Sequence, residues 1–361
     1  MSSRWSLLLL VALTLLGCPP APSPTGDGQE ATSKDVLNLY IWSEYLDPAL
    51  VEAFTARTGT QVKVSLFEST EEMLAKLQHA AGTSQYDLVV VANQSVPAMV
   101  RLDLIQPLDA AQLPHKDGLD AAFRKPPYDP DETYSVPYQW GTVGLLYDKA
   151  KHPDLDPTWS VLFDPAQQVG PFLLIDEARD QLGVALKSLG HSVNSTDPEQ
   201  LKAAGELLLT AKRSENCLGF EGGVGGKNRV AGGTADLAVV WNGDAFRAIQ
   251  EDTQHRLGFL VPREGSIGWC DVLVVTSQAP NPKAAHAFID FLLEPENAAR
   301  LSAFTKYATP VTAARALLPE ADRDNQVIYP TDEVRQTLES LTDLGDHLRL
   351  YDEVWTAVKA R

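Results

Sequence analysis

The feature that most constrains the fold is a regular alternation of strand and helix patterns that begins at Val36. Residues 36–42 form an apolar run with strand character, and residues 61–67 alternate between polar and apolar as a half-buried strand does. Between them, Asp47-Pro48 is typical of a helix N-terminus, and Gly59 predicts the end of that helix. This order predicts a right-handed βαβαβ unit, and therefore an α/β fold with parallel strands.

The next segments complete this unit and repeat its pattern. Ser69 with Glu72 three residues later predicts a capping box, and residues 86–92 form the apolar run expected of a strand buried on both faces. Further elements are predicted as strands at 141–147, 172–175, 237–241 and 272–276, and as helices at 197–212 and from Asn281. Because 361 residues are enough for two domains, we expect two α/β lobes with ligands beyond the carboxyl ends of strands.

The N-terminus has the pattern of an export signal. Arg4 precedes an apolar run, Trp5 to Leu16, which is shorter than the roughly 20 residues that cross a bilayer and is typical of a signal peptide. The run ends in Leu15-Leu16-Gly17-Cys18, which resembles a lipobox. We therefore predict a signal peptide at 1–17, cleavage before Cys18 and lipidation of the Cys18 thiol. An ordinary signal peptide that contains a cysteine is the alternative.

The composition of the chain after this signal predicts a tethered globular body and excludes some partners. Residues 18–34 are predicted to be the lipidated cysteine and a flexible linker, since they are rich in Pro, Ser, Gly and Thr. The chain as a whole has a globular composition, with 44% hydrophobic and 22% charged residues. A net charge of -18 repels nucleic acid and anionic lipid surfaces and favours small cations. Membrane contact is therefore expected through the lipid anchor only, with no nucleic-acid partner.

Catalytic and metal-site patterns are missing from the sequence. The seven histidines are scattered without metal-ligand spacing, and no Gly-x-Ser-x-Gly elbow occurs. The glycine-rich stretch at 221–228 fails both the Walker and the dinucleotide templates, so we expect a mobile loop there. We predict no catalytic residues, no metal and no cofactor. Cys217 and Cys270 could pair as a disulfide or act as two small buried hydrophobic residues, and the sequence leaves both open.

Tryptophans and acids recur together at the ends of predicted strands. They lie in four stretches: Trp42-Ser43-Glu44-Tyr45, Asp176-Glu177-Ala178-Arg179-Asp180, Trp241-Asn242-Gly243-Asp244 and Trp269-Cys270-Asp271. In an α/β protein these ends form the ligand cleft. Aromatic faces cover the methylenes and attract the ammonium groups of a flexible polycation, and carboxylates accept its charge-assisted hydrogen bonds. The pattern predicts a binding site for a linear polyamine.

From about Leu37 to the C-terminus, the chain resembles the periplasmic spermidine/putrescine-binding protein family, the receptor component of an ABC importer. The resemblance is carried by the four stretches above and by Tyr40-Ile41, Tyr86-Asp87-Leu88-Val89-Val90, Tyr134-Ser135-Val136-Pro137-Tyr138-Gln139-Trp140-Gly141 and Tyr307-Ala308-Thr309-Pro310. It implies the two-lobe periplasmic-binding-protein fold, with an interlobe cleft that closes like a hinge. The implied lobes are 35–141 with 271–313, and 142–270 with 314–361.

The resemblance also implies the ligand contacts. They are Trp42, Ser43, Tyr45, Glu177, Asp180, Trp241, Trp269, Asp271 and Tyr307. Asp271 would bind one amine end of the ligand, and Glu177 with Asp180 the other. Three further candidates are Glu44 at the periphery, Arg179 as a residue that holds the two acids, and Gln94. Gln94 lies in Val91-Ala92-Asn93-Gln94-Ser95, where the family has a hydroxyl residue and a tyrosine wall that this chain lacks.

The function implied is solute capture without a reaction. We expect a monomeric lipoprotein in the periplasm or at the cell surface, which binds a putrescine- or spermidine-type polyamine and delivers it to permease subunits. Because one aromatic wall is missing, the same fold could instead bind another cationic or zwitterionic solute, such as an amino-acid-like compound or thiamine. A surface lipoprotein without a transport role is the remaining alternative.

Overall fold

The computed structural model describes residues 36–79 and 85–360. The predicted signal peptide at 1–17, the lipidated Cys18 and the linker at 18–34 lie outside the described residues. Within the described ranges, no helix combines the length and the apolar character needed to cross a membrane.

The strands form a continuous mixed sheet. They are β1 (Val36–Trp42), β2 (Gln61–Phe67), β3 (Leu88–Ala92), β4 (Val136–Asp148), β5 (Phe172–Ile175), β6 (Cys217–Glu221), β7 (Leu237–Trp241), β8 (Leu257–Leu260), β9 (Ser266–Val275) and β10 (Leu338–Ser340). Their order is β2-β1-β3-β9-β4-β7-β5-β6, with β10 beside β9 and β8 beside β4. β1 pairs in parallel with β2 and β3, and β5 pairs in parallel with β6 and β7. The predicted α/β class and the parallel βαβαβ unit are confirmed.

Helices connect and cover these strands. They are α1 (Pro48–Thr58), α2 (Thr70–His79), α3 (Val96–Arg101), α4 (Ser160–Phe163), α5 (Ala178–Ser188), α6 (Pro198–Lys212), α7 (Gly223–Ala231), α8 (Asn242–Glu251), α9 (Pro282–Leu293), α10 (Pro295–Thr305), α11 (Thr312–Arg315), α12 (Glu320–Arg323), α13 (Asp332–Arg335) and α14 (Leu348–Ala360). Short 3-10 turns lie at Asn93–Ser95, Ala110–Gln112, Pro114–Gly118, Ala121–Phe123 and Gly345–His347.

The helix starts agree with the predicted capping residues. Asp47, Asp197 and Asn281 each precede a proline and accept a hydrogen bond from a first-turn N–H, at 2.9, 2.9 and 3.2 Å. Gly59 ends α1 with a φ of 77°, a conformation that glycine adopts without strain. The capping box at α2 is half formed. Ser69 accepts from the Glu72 N–H, but Glu72 accepts from the N–H of the residue before Ser69.

The long strands β4 and β9 join the two halves of the sheet. Residues 136–142 of β4 pair with β9, and residues 143–148 pair with β7 and β8 instead. Gly141 lies at this change of partner, where a Cβ would be 2.6 Å from the Trp269 ring. A larger side chain would therefore push the two long strands apart. Two hydrophobic clusters pack on β1, β3 and β9, and another packs on β5 and β7 under α5, α6 and α14.

The structure contradicts one expectation from the sequence and decides between two alternatives for the cysteines. The stretch at 221–228 is not a mobile loop, because its glycines begin α7 and allow it to pack closely on β7 and α8. A Cβ on Gly223 would be 2.3 Å from the Trp241 ring. Of the two interpretations of the cysteine pair, the disulfide is not formed. Cys217 and Cys270 are both free and half-buried.

Candidate ligand-binding site

A cavity opens at the carboxyl ends of the parallel strands. β1 ends at Trp42, β3 at Ala92 and β7 at Trp241, and all three residues line the cavity. Because parallel strands in each half of the sheet point toward this edge, the segments after them converge there. The lining residues are Trp42, Ser43, Glu44, Tyr45, Glu68, Thr70, Ala92, Gln94, Glu177, Asp180, Gly223, Val224, Trp241, Asp244, Trp269, Asp271, Tyr307 and Leu341.

The structure brings together every residue of the predicted contact set. All nine line this one cavity, and Glu44 and Gln94 line it as well. Arg179 does not line it. Its guanidinium carbon lies 4.7 Å from the centre of the Tyr351 ring, and the group donates to Asn194 Oδ1 at 2.9 Å and to the Thr342 carbonyl at 3.2 Å. Ligand contact by the lining residues stays a prediction.

Three buried carboxyl groups in the cavity lack an ion-pair partner among the described residues. Glu177, Asp180 and Asp271 are 6, 5 and 9% exposed, and none of them forms an ion pair. Burial raises the pKa of Asp271 to about 7, although the nearby Tyr45 hydroxyl opposes the rise, and it raises the pKa of Asp180 to about 6 against the hydrogen bond from Trp241 and the charge of Arg179. Burial and the neighbouring acid charges hold the pKa of Glu177 well above its usual range. These groups favour either a proton or a bound cation.

Aromatic rings form the walls between these acids. The ring centres of Trp42 and Trp241 are 6.0 Å apart, those of Trp269 and Tyr307 are 5.0 Å apart, and Tyr45 contacts Tyr307 edge-on at 5.4 Å. The indole N–H of Trp241 donates to Asp180 Oδ2 at 2.8 Å, which fixes the orientation of both side chains. Such faces can cover an alkyl chain and attract the ammonium groups at its ends.

Comparison with known proteins agrees with this architecture. The sequence profile of bacterial extracellular solute-binding proteins matches residues 49–329. The spermidine/putrescine-binding periplasmic protein of Salmonella typhimurium is 36% identical over 359 residues, 99% of each chain. The chain belongs to this family. The expected resemblance to spermidine/putrescine-binding periplasmic proteins is thereby confirmed at the level of the family.

Solved structures extend the agreement from sequence to fold. A structure from Listeria monocytogenes has a TM-score of 0.83 and 35% identity, and it covers 90% of this chain and 99% of that one. The Tp0655 lipoprotein of Treponema pallidum has a TM-score of 0.80 and 28% identity, and covers 91% and 100%. The predicted α/β periplasmic-binding-protein fold is confirmed by these similarities, whereas the exact lobe boundaries stay a prediction.

A second group of charges occupies one end of the cavity of this solute-binding protein. Glu44 has a backbone φ of 53°, unusual for a residue with a side chain, and comes shortly after β1. Its Oε2 atom is 2.8 Å from Lys227 Nζ on α7 and 2.9 Å from an Arg247 nitrogen on α8. Asp244, also on α8, is buried beside Lys227 and hydrogen-bonds the Tyr307 hydroxyl. Acids at this end therefore have protein cations beside them.

The predicted contact set omitted several lining residues. Asp244 belongs to the Trp241 stretch but not to that set, and its position on the first turn of α8 makes it face the cavity. Glu68 comes directly after β2, so the rule that selected the other acids could have found it. Thr70 begins α2 and donates to the Glu177 carboxylate from its hydroxyl and its N–H. No local sequence pattern predicts that contact, because the two residues come from distant parts of the chain.

Several polar atoms at the cavity have no hydrogen-bond partner within the described structure. They include two acceptors, Glu177 Oε2 and Gln94 Oε1, and two indole donors, the Nε1 atoms of Trp42 and Trp269. Buried polar atoms are usually satisfied, so these mark positions for ligand or water. Over the ranges that the structure describes, no cluster of His, Cys, Asp and Glu side chains could hold a metal ion.

Proposed function

We propose that this solute-binding protein captures a linear polyamine of the putrescine/spermidine type and delivers it to the permease subunits of an ABC importer. The observation that carries the proposal is the charge of the cavity. Six acids line it, and none of the described residues that line it is a lysine or an arginine. The family relationship supports the same function, because the Salmonella relative carries the name of a spermidine/putrescine-binding protein.

In the proposed complex, Asp271 binds one ammonium group and Glu177 with Asp180 binds another. Trp42, Trp241, Trp269, Tyr45 and Tyr307 cover the methylenes between them, and Ser43 contacts the ligand near the mouth. Each desolvated ammonium over a ring gains roughly 0.5–2 kcal/mol, and charge-assisted hydrogen bonds add to this. Binding in the micromolar range, about -8 kcal/mol, is enough for a receptor that must release its cargo.

The proposed working cycle is hinge closure of two lobes, 35–141 with 271–313 and 142–270 with 314–361. Its support is the pairing of β4, which exchanges β9 for β7 and β8 after residue 142. We further propose that the protein acts as a monomer without catalysis and is attached to the membrane only by a lipid on Cys18, in the periplasm or at the cell surface. Support for the anchor comes from the sequence pattern that ends at Cys18.

Titration of the purified protein with putrescine, spermidine and spermine tests the proposal through tryptophan fluorescence, because three indoles line the cavity. At least one amine is expected to change the signal saturably at micromolar concentration. Butane-1,4-diol is the matched control, since it has the carbon chain of putrescine without its charges, and no response is expected. A lack of response to all three amines at millimolar concentration would refute the proposal.

A second candidate is a zwitterionic solute, and the unpaired indole donors favour it. Ammonium groups cannot accept a hydrogen bond from the Nε1 atoms of Trp42 or Trp269, whereas a carboxylate can. Native mass spectrometry of the protein purified without added ligand distinguishes the candidates by the mass of the molecule that dissociates. An amino-acid-like mass would replace the polyamine proposal with this one.

A further inference from the structure

Five of the six acids that line the cavity, all but Glu68, fall into two groups that differ in their counter-charges. Glu177, Asp180 and Asp271 have no ion-pair partner in the described part of the chain. Glu44, in the other group, pairs with Lys227 and Arg247, and the charges of both cations also act on Asp244. Lys227 Nζ is 2.8 Å from Glu44 Oε2, and its positive charge acts on the buried carboxylate of Asp244. The lining of the cavity contains no lysine or arginine, but two protein cations lie beside Glu44, one of its lining acids.

Local packing of α7 holds Lys227 at this position. The helix begins at Gly223, where a Cβ would be 2.3 Å from the Trp241 ring and 2.9 Å from Asp244 Oδ2. Only glycine allows the helix to start this close to the two cavity residues. Residues four positions apart lie on the same face of a helix. Lys227 therefore extends from the face on which Gly223 packs against Asp244. The Lys227 residue is 5% exposed, which leaves its ammonium group little freedom to move into solvent.

Tyr307 connects this end of the cavity to the acids without counter-charges. Its hydroxyl bonds to Asp244, and its ring contacts Trp269 at 5.0 Å and Tyr45 at 5.4 Å. Asp271 lies near enough for its charge to act on the same hydroxyl. A ligand that binds Asp271 and continues past Tyr307 would therefore bring its next ammonium group toward Lys227.

We propose that Lys227 is a specificity-determining residue, a fixed cation beside Glu44 and Asp244 that restricts the ligand to a linear diamine. This inference rests on the proposed amine-binding function and deepens it. Ligand ammonium groups are left with two positions, Asp271 and the Glu177–Asp180 pair. A third ammonium group meets a like charge and finds the acids of that end already neutralised, which disfavours longer polyamines.

The decisive variant is Lys227→Met, which keeps the length of the side chain and removes its charge. Affinities of wild type and variant for putrescine, spermidine and spermine are measured by calorimetric titration. Wild type is expected to bind putrescine at least about tenfold more tightly than spermine. In the variant this ratio is expected to fall at least about tenfold, because the longer amines gain Asp244 as a partner, while Arg247 stays paired with Glu44. An unchanged ratio, or a wild type that prefers spermine, overturns the inference.

A control variant and one alternative result distinguish a role of Lys227 in ligand selectivity from a purely structural role of its ion pair. Lys187→Met removes a partly buried lysine that pairs with Glu339 at 3.3 Å, away from the lining residues, and is expected to leave the ratio unchanged. If Lys227 only held the fold together, Lys227→Met would change the affinities for all three amines by the same factor. That outcome also overturns the inference.

Asp244→Asn keeps the inference testable if Lys227→Met does not fold. Because the charges of Lys227 and Arg247 offset part of the charge of Asp244, this variant is expected to change putrescine affinity less than about threefold. A loss as large as that of Asp271→Asn would mean that Asp244 binds the ligand directly, and the inference would be wrong. If wild type binds none of the amines, the proposed function fails and this inference fails with it. If wild type binds them without the predicted ratio, the inference alone fails.

Discussion

Asp129 and Asp271 are both buried acids, but their polar surroundings differ. Asp129 lies in the loop before β4 and is 5% exposed. Its carboxylate accepts hydrogen bonds from the N–H groups of Thr133, Tyr134 and Ser135 at 2.9–3.0 Å, and from the Ser135 hydroxyl at 2.7 Å. Asp271 is 9% exposed and lines the cavity without an ion-pair partner among the described residues.

The difference distinguishes acids that stabilise the fold from acids that are available to bind a ligand. A buried carboxylate that accepts several N–H groups has exchanged its water for protein donors, so its charge costs little. Asp271 and Asp180 have fewer donors, with one from Trp241 on Asp180, and burial raises their pKa values to about 7 and about 6. An arrangement that weakens the ligand-free fold at neutral pH is typical of a functional site.

The largest expected effect comes from exchanging Asp271 for Asn. Loss of the charge should weaken binding of the favoured amine at least about thirtyfold, since truncating a buried charge pair costs about 2–5 kcal/mol. Without ligand at pH 8, the same variant should be more stable by about 1–3 kcal/mol, because an uncompensated buried charge is removed. Titration calorimetry and urea unfolding measure the two effects.

Asp129→Ala is the matched comparison, and it should lower stability and leave amine binding nearly unchanged. Four donors lose their acceptor, so the free energy of unfolding should fall by about 2–4 kcal/mol while amine affinity stays within about twofold. If Asp271→Asn lowered stability as much as Asp129→Ala does, the contrast between the two acids would not hold.

Affinity for an amine should rise with pH between about 5 and 8, most steeply below about 6, where both carboxyl groups hold protons in the free protein, and should level off above about 7. The cation prefers ionised carboxylates, whereas the unliganded Asp180 and Asp271 hold protons below pKa values of about 6 and 7. Each proton released on binding contributes up to about tenfold in affinity per pH unit. Calorimetry in two buffers with different ionisation enthalpies counts the released protons. A pH-independent affinity with no proton release would contradict this assignment.

Stability of the ligand-free protein should change in the opposite direction. The folded pKa of Asp271 is about 7, against an ordinary value of 3.8, so the folded state binds more protons between these values. The contribution of this group to stability is therefore full below about pH 4 and is lost as the pH rises through about 7. Urea unfolding of wild type and Asp271→Asn from about pH 4.5 to 8 isolates it. The two curves should diverge as the pH rises.

A tryptophan that lines the cavity can be compared in the same way with one in the core, and the expected effect on amine binding is smaller. Trp241→Leu should weaken amine binding about tenfold, because a cation–π contact and the hydrogen bond to Asp180 are lost. Trp159 is fully buried in the core and donates to the Gly265 carbonyl at 2.9 Å. Trp159→Leu should instead lower the free energy of unfolding by about 3 kcal/mol and leave affinity nearly unchanged. Equal effects of both variants on affinity would argue against the cavity as the binding site.

The smallest effect concerns the thiols. Because Cys217 and Cys270 are free, a reducing agent should shift Tm by less than about 1 °C. Burial raises the pKa of the Cys270 thiol, so it should react with a thiol reagent only slowly before unfolding. A marked loss of Tm on reduction would reveal a disulfide between them.

Most elements of the fold could be predicted because their signals are local. Caps such as Asp47 and Asn281 act within one turn, and the apolar periodicity of 172–175 and 237–241 predicted both strands with their observed bounds. β4 was predicted too short, since its first residues contain Pro137 and polar side chains that only the partner strand β9 makes part of the sheet.

Sequence by itself determined that three of the four acid and tryptophan stretches lie at the carboxyl ends of strands, and strand direction then brings them to one cavity. The fourth expectation was wrong, because Trp269 and Asp271 lie inside β9. Only the tertiary structure decided which of the acids and tryptophans face that cavity. Arg179, between two lining acids, turns toward Tyr351, and the glycines before Lys227 form a helix. Lys227 meets Glu44 although 183 positions separate them. The physical reason is that burial and charge interactions depend on distances through space, which no local pattern contains.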